Sequence, residues 1–133
     1  MRAARSITLT ALLPLLAACG PSAQQVAAED TVRTASRALA EAHTTGGEDA
    51  RLRVALDEAD TWLAHGEEAV NEWGSGARSF AWETMAPCLA RALRDVRDAL
   101  LGAGHDVPTD LESAEVSASA VTDHRCPRRE GSR

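Results

Sequence analysis

Between Glu48 and Trp73 the residues Leu52, Ala55, Leu56, Ala59, Trp62, Leu63, Gly66, Ala69, Val70 and Trp73 fall on one side of a 3.6-residue period. An apolar strip this broad predicts a long helix that has to be covered by other elements. The opposite side carries Asp57, Glu58, Asp60, Glu67, Glu68 and Glu72, which reads as a solvated face rather than a site.

The same period recurs on both sides of this segment. From Gln24 to His43 a narrower stripe is made of Ala28, Val32, Ala35, Leu39 and Ala42; Gly46-Gly47 ends it, and Thr45 with Glu48 has the spacing of a capping box. After a turn at Gly74-Ser75-Gly76, helical spacing resumes through Ala77, Phe80, Ala81, Thr84, Cys88, Leu89, Ala92, Val96, Ala99, Leu100 and Ala103. Pro87 admits two outcomes there, a kink in one long helix or the first turn of a second. Arg91 with Asp95 and Arg94 with Asp98 stand four residues apart, the spacing of surface ion pairs along a helix. Gly102 and Gly104 suit a C-cap, and Val107-Pro108 opens a shorter helix with Leu111, Ala114, Ala118 and Val121 on its stripe.

No strand alternation and no fixed repeat are visible. Much of the 44% hydrophobic content is Ala, with three Trp, one Phe and no Tyr, so the core must be built from small side chains that suit closely packed helices. Four helices on short loops predict an all-α, up-down-up-down bundle over residues 24–122, followed by a tail from Asp123 to Arg133.

The first residues have a different character. Arg2 and Arg5 precede an apolar run from Ile7 to Leu16, and Leu16-Ala17-Ala18 leads to Cys19, the layout of a secretory signal. The run is too short for a spanning helix, which needs about 20 apolar residues. Leu16-Ala17-Ala18-Cys19 resembles the lipobox of bacterial lipoproteins. The resemblance covers only these first 19 residues. It implies removal of residues 1–18, a diacylglyceryl group on the Cys19 sulfur, usually an acyl group on the new amino terminus, and a short linker over residues 19–23. An ordinary signal cut after Ala18 would place bulky Leu16 where small residues are preferred. Each buried methylene contributes about 0.8 kcal/mol, so two or three chains hold firmly where one binds reversibly. The implied location is outside the cytoplasm, on the cell membrane or the outer membrane. Gly20 is not the Asp that resembles an inner-membrane retention signal, which favours the outer membrane where there is one.

Three cysteines in an exported chain leave one odd thiol. Lipid on Cys19 removes the oddity and leaves Cys88 and Cys126 as a pair in an oxidising compartment. The bridge would contribute about 3 to 4 kcal/mol on the chain-entropy model. Two inert thiols or a redox pair are the alternatives, the latter without a CxxC spacing. Counting from the expected turns also sets Trp62 level with Cys88.

Net charge is −6, and all the basic residues are Arg, which reads as compositional bias and argues against nucleic acid as a partner. His43, His65, His105 and His124 are scattered without HExxH or zinc-ligand spacing, and no nucleophile elbow, P-loop or dinucleotide loop is present. The sequence therefore predicts no catalytic residues, no metal and no cofactor. The short linker brings the turn near Gly74 to the membrane side, so Trp73, Phe80 and Trp82 read as lipid-interface aromatics, as core, or with Trp62 as the lining of a pocket. Arg125, Arg128, Arg129 and Arg133 make the tail basic, which suits anionic headgroups or a plain solvated tail. The expected function is a non-catalytic, membrane-tethered binding or accessory module with an envelope protein as partner. The alternative is a small-ligand carrier.

Overall fold

The computed structural model describes residues 22–74 and 80–127, and among them finds four helices and no strand. These are α1 (Ala23–Thr45), α2 (Ala50–Gly74), α3 (Phe80–Gly102) and α4 (Thr109–Ser119). The chain is an all-helical bundle. Residues 1–21, 75–79 and 128–133 lie outside the described part, and with them fall Cys19, the leader, and Arg128, Arg129 and Arg133.

Local chemistry sets the helix ends. Ser22, with extended backbone, accepts a hydrogen bond from the Gln25 N–H at 3.1 Å and so starts α1 one residue earlier than the apolar stripe suggests. Thr45 and Glu48 do not form the expected capping box. Thr45 is still the last residue of α1, and its hydroxyl donates to the Glu41 carbonyl at 3.0 Å. Asp49 takes the capping role instead, with Oδ1 accepting from the Leu52 N–H at 2.9 Å. At the end of α3, Gly104 has φ 79°, and His105 N–H donates to the Leu100 carbonyl while Gly104 N–H donates to that of Leu101. This is a Schellman closure, which needs the left-handed residue that glycine supplies without steric cost. Asp110 and Glu112 occupy the first turn of α4, where the helix dipole favours acids.

Pro87 lies inside one continuous α3, so it does not open a second helix. Proline forfeits one helical hydrogen bond. Packing on both sides holds the helix through this point, since Ala86, Cys88 and Leu89 are all buried.

Connections of residues 46–49 and 103–108 reverse the chain between α1 and α2 and between α3 and α4. The helices form a ring in chain order. α2 packs most extensively on α3, α3 on α4, and α4 closes back onto α1, while the diagonal partners α1 and α3 barely touch. This up-down-up-down order brings the start of α1 to the same end as the last turn of α2, the first turn of α3 and the last turn of α4.

The core contrasts small with large side chains. Leu39, Leu52, Leu89, Leu93, Val96, Leu100 and Leu111 are the largest fully buried residues, and each contributes about 1.5–3 kcal/mol through burial. On the inward face of α1, Ala28, Ala35, Ala38 and Ala42 are buried to within 1%, which lets its neighbours approach closely. α3 is buried over a wider face than its stripe suggests, adding Trp82, Met85 and Leu93, while Thr84 is exposed. The reason is its position in the ring, in contact with both α2 and α4.

The arginines of α3 pair mainly across helices. Arg91 reaches Glu58 on α2 at 3.8 Å, and Arg94 and Arg97 both reach Glu115 on α4. No ion pair of Arg91 with Asp95 or of Arg94 with Asp98 forms within 4 Å among the described residues; Arg97 is the arginine that approaches Asp98, at 3.7 Å. For Arg94 and Arg97 the buried Glu115 is a drier partner than an exposed neighbour on their own helix would be.

Candidate functional site

Two features stand out in the half of the bundle where α1 begins. The first is the bridge between Cys88 and Cys126, whose Cα atoms are 4.7 Å apart. Cys88 lies 14 residues before the end of α3, a descent of about 21 Å along the helix. α4 covers only part of that distance, because it stops at Ser119 rather than running to Val121. The remaining chain passes down in non-helical form, and the disulfide fastens it to α3 at Cys126. Arg125 is exposed just before this point.

The second feature is a cavity of about 390 Å³ open to solvent. α1 supplies Gln24, Ala27, Ala28, Asp30 and Thr31; α2 supplies Trp73; α3 supplies Trp82 and Glu83; the end of α4 and the residues beyond it supply Ser117, Ala120 and Val121. Its floor is dry. Ala28 and Trp82 are 1% and 3% exposed, and the buried Thr31 hydroxyl donates to its own helix at the Ala27 carbonyl, 2.8 Å away. The charged residues in the described lining are both acids, Asp30 and Glu83.

Of the four aromatics singled out in the sequence, Trp73 and Trp82 come together in this cavity. Trp82 is a core side chain, and at 3% exposure it offers no face to a bilayer. Trp73 is partly buried against the core. The side chain of Phe80 lies outside the described residues. Trp62 lines a separate shallow groove with His65 and Met85, its ring centroid 5.5 Å from that of His65. The α3 wall of that groove is Ala81 and Met85, not Cys88. The Trp62 indole N–H is buried and has no hydrogen-bond partner among the described residues.

The histidines stay scattered. His43 pairs with Asp60 across α1 and α2 at 2.7 Å, and the His65 ring lies tilted against that of Trp62. Among the described residues no group of three or more His, Cys, Asp or Glu is placed to hold a metal ion, and no helix is long and apolar enough to cross a membrane.

Sequence reasoning missed Glu115. It is buried, four residues after Leu111 and so beside the apolar stripe of α4, and it accepts from Arg94 Nε at 3.0 Å and Arg97 Nη1 at 2.5 Å. An acid beside a core stripe, opposite two arginines three residues apart, was the available signal. A second acid, Asp95, has its carboxyl raised above the ordinary range by desolvation and by the negative charges of Glu58 and Asp98, against the lowering pull of Arg91 and Arg94. Compared with family models, with curated proteins and with solved structures, the chain matches none.

Proposed function

We propose that this chain is an exported lipoprotein, anchored through lipid on Cys19, whose helical bundle serves as a non-catalytic binding or accessory module of the cell envelope. One observation carries the reading: Leu16-Ala17-Ala18-Cys19 ends a leader with the charge and apolar length of a secretory signal. The pairing of Cys88 with Cys126 supports it, because it leaves Cys19 as the one cysteine free to be modified. On this reading only Gly20, Pro21 and Ser22 separate the anchor from α1, a reach of about 10 Å. The end of the bundle with the cavity then faces the bilayer. Fractionation of cells tests the anchor. The protein should sediment with membranes, resist high salt and be released by detergent, whereas Cys19→Ala should either leave the membrane or persist as uncleaved precursor. Identical behaviour and identical mature mass for the two would overturn the anchor. Crosslinking from the exposed face of α2 should trap an envelope protein, and a blank result from every exposed position would remove the partner.

A second reading, a small-ligand carrier, is favoured by the cavity that Trp73 and Trp82 share. Its size lies within the range of about 300–1,000 Å³ typical of small-molecule sites.

A further inference from the structure

We propose that the Cys88–Cys126 bridge is an exchangeable latch: a dithiol, of the kind that thiol–disulfide exchange proteins carry, attacks the Cys126 sulfur in the folded protein and frees the chain after α4 from α3. The latch is independent of lipid on Cys19 and of any ligand in the cavity that Trp73 lines.

Three observations carry it. The two sulfurs differ in access: Cys88 is 3% exposed within α3, whereas Cys126 is partly exposed and lines an open groove of about 740 Å³ with Pro87, Ala90 and Thr122. A thiolate has to reach the sulfur it attacks, so Cys126 is the one it meets. Little else ties the segment down. Among the described residues no hydrogen bond or ion pair joins residues 121–127 to a helix; the His124 N–H donates to Thr122 Oγ1 inside the segment. Val121 packs partly on the core, and the bridge is the next firm attachment. The segment is also a wall, since Ala120 and Val121 line the cavity beside Trp73 and residues 122–126 line the groove. Opening the latch therefore widens both. In the first step the attacking thiolate bonds to the Cys126 sulfur, and the electron pair of the S–S bond leaves on Cys88, which takes a proton from water. The second thiolate of the dithiol then displaces Cys126, which is protonated in turn. Two electrons and two protons pass to the cysteines, and the dithiol is left as a disulfide.

The test follows reduction by dithiothreitol of the protein purified from its host, on neutral vesicles or free in solution according to whether it carries lipid. Urea is kept below the unfolding transition, and dithiothreitol low enough that the rate stays proportional to it. Attack on the folded state should change in rate by less than about twofold between 0 and 1 M urea. A bridge reached only through global unfolding would be reduced about fivefold faster or more per molar, and that result overturns the latch. A short pulse of the monothiol 2-mercaptoethanol should leave its mixed disulfide on Cys126, and capture on Cys88 would overturn the route. Trypsin should cut after Arg125 about tenfold faster once the bridge is reduced, because a freed segment fits the protease, while helix content by circular dichroism is retained. Cys126→Ser, which cannot latch, should be cut as fast as the reduced protein. Equal cutting of the oxidised and reduced wild-type chains would mean that the segment stays in place without the bridge, and would overturn the release.

Discussion

Arg97 on α3 donates from Nη1 to Oε2 of Glu115 on α4 at 2.5 Å, and Arg94 Nε holds the other carboxylate oxygen at 3.0 Å. The Glu115 side chain is 8% exposed, so these bonds replace the water it has lost. Glu115→Ala should lower unfolding free energy by about 1–3 kcal/mol in chemical denaturation. Arg97→Ala should cost more than Arg94→Ala, because Arg94 is 53% exposed against 28% for Arg97 and resolvates more easily. Equal and negligible losses would mean the pair is only a surface contact.

The Cys88–Cys126 bridge fastens the non-helical chain after α4 to the middle of α3. Reduction, or alanine at either cysteine, should cost about 3 to 4 kcal/mol, and the double variant should cost no more than either single one. Hydrogen exchange should rise first in α4. An unfolding midpoint insensitive to reductant would contradict this.

Gly66 sits inside α2 facing Val32, Trp82 and Met85, and an added Cβ would meet all three at 3.4 Å, ordinary contact distance. Gly66→Ala should therefore stabilise the bundle by about 0.5–1 kcal/mol, the gain in helix propensity. A loss of stability would mean that α1 and α3 cannot accommodate even a methyl group there.

Asp95 predicts the direction of one pH effect. Its carboxyl is raised, so the folded chain holds the proton more tightly than the unfolded chain does. Stability is therefore lost as pH rises from the ordinary carboxylate range through the raised value, and is regained on acidification. Asp95→Asn should stabilise at pH 7 by less than about 1 kcal/mol after solvent screening, and the gain should vanish below about pH 3. A gain that persists undiminished in acid would have another cause.

The fold was legible because period dominates here. The strip from Leu52 to Trp73 and the stripe from Ala28 to Ala42 name their own buried faces, and glycine pairs mark the reversals. Helix ends were less so, since Thr45 and Asp49 are both good caps and only the turn at Gly46-Gly47 decides between them. Side-chain roles that depend on a neighbouring helix were not legible. Trp73 and Trp82 look alike in sequence, yet Trp82 is buried between elements while Trp73 keeps an open edge. Arg94 could be matched to Asp98 by spacing, but its partner Glu115 is 21 residues away and becomes visible only once α4 is docked.

Everything about orientation and compartment depends on the fate of one sulfur. Intact-mass analysis of the protein purified from its host measures it directly. The account predicts a single mature species that begins at Cys19, carries the added mass of a diacylglyceryl group with or without a further acyl chain, and lacks two hydrogens for the Cys88–Cys126 bridge. An unacylated protein starting at any other residue, or one in which Cys19 itself forms a disulfide, would contradict it.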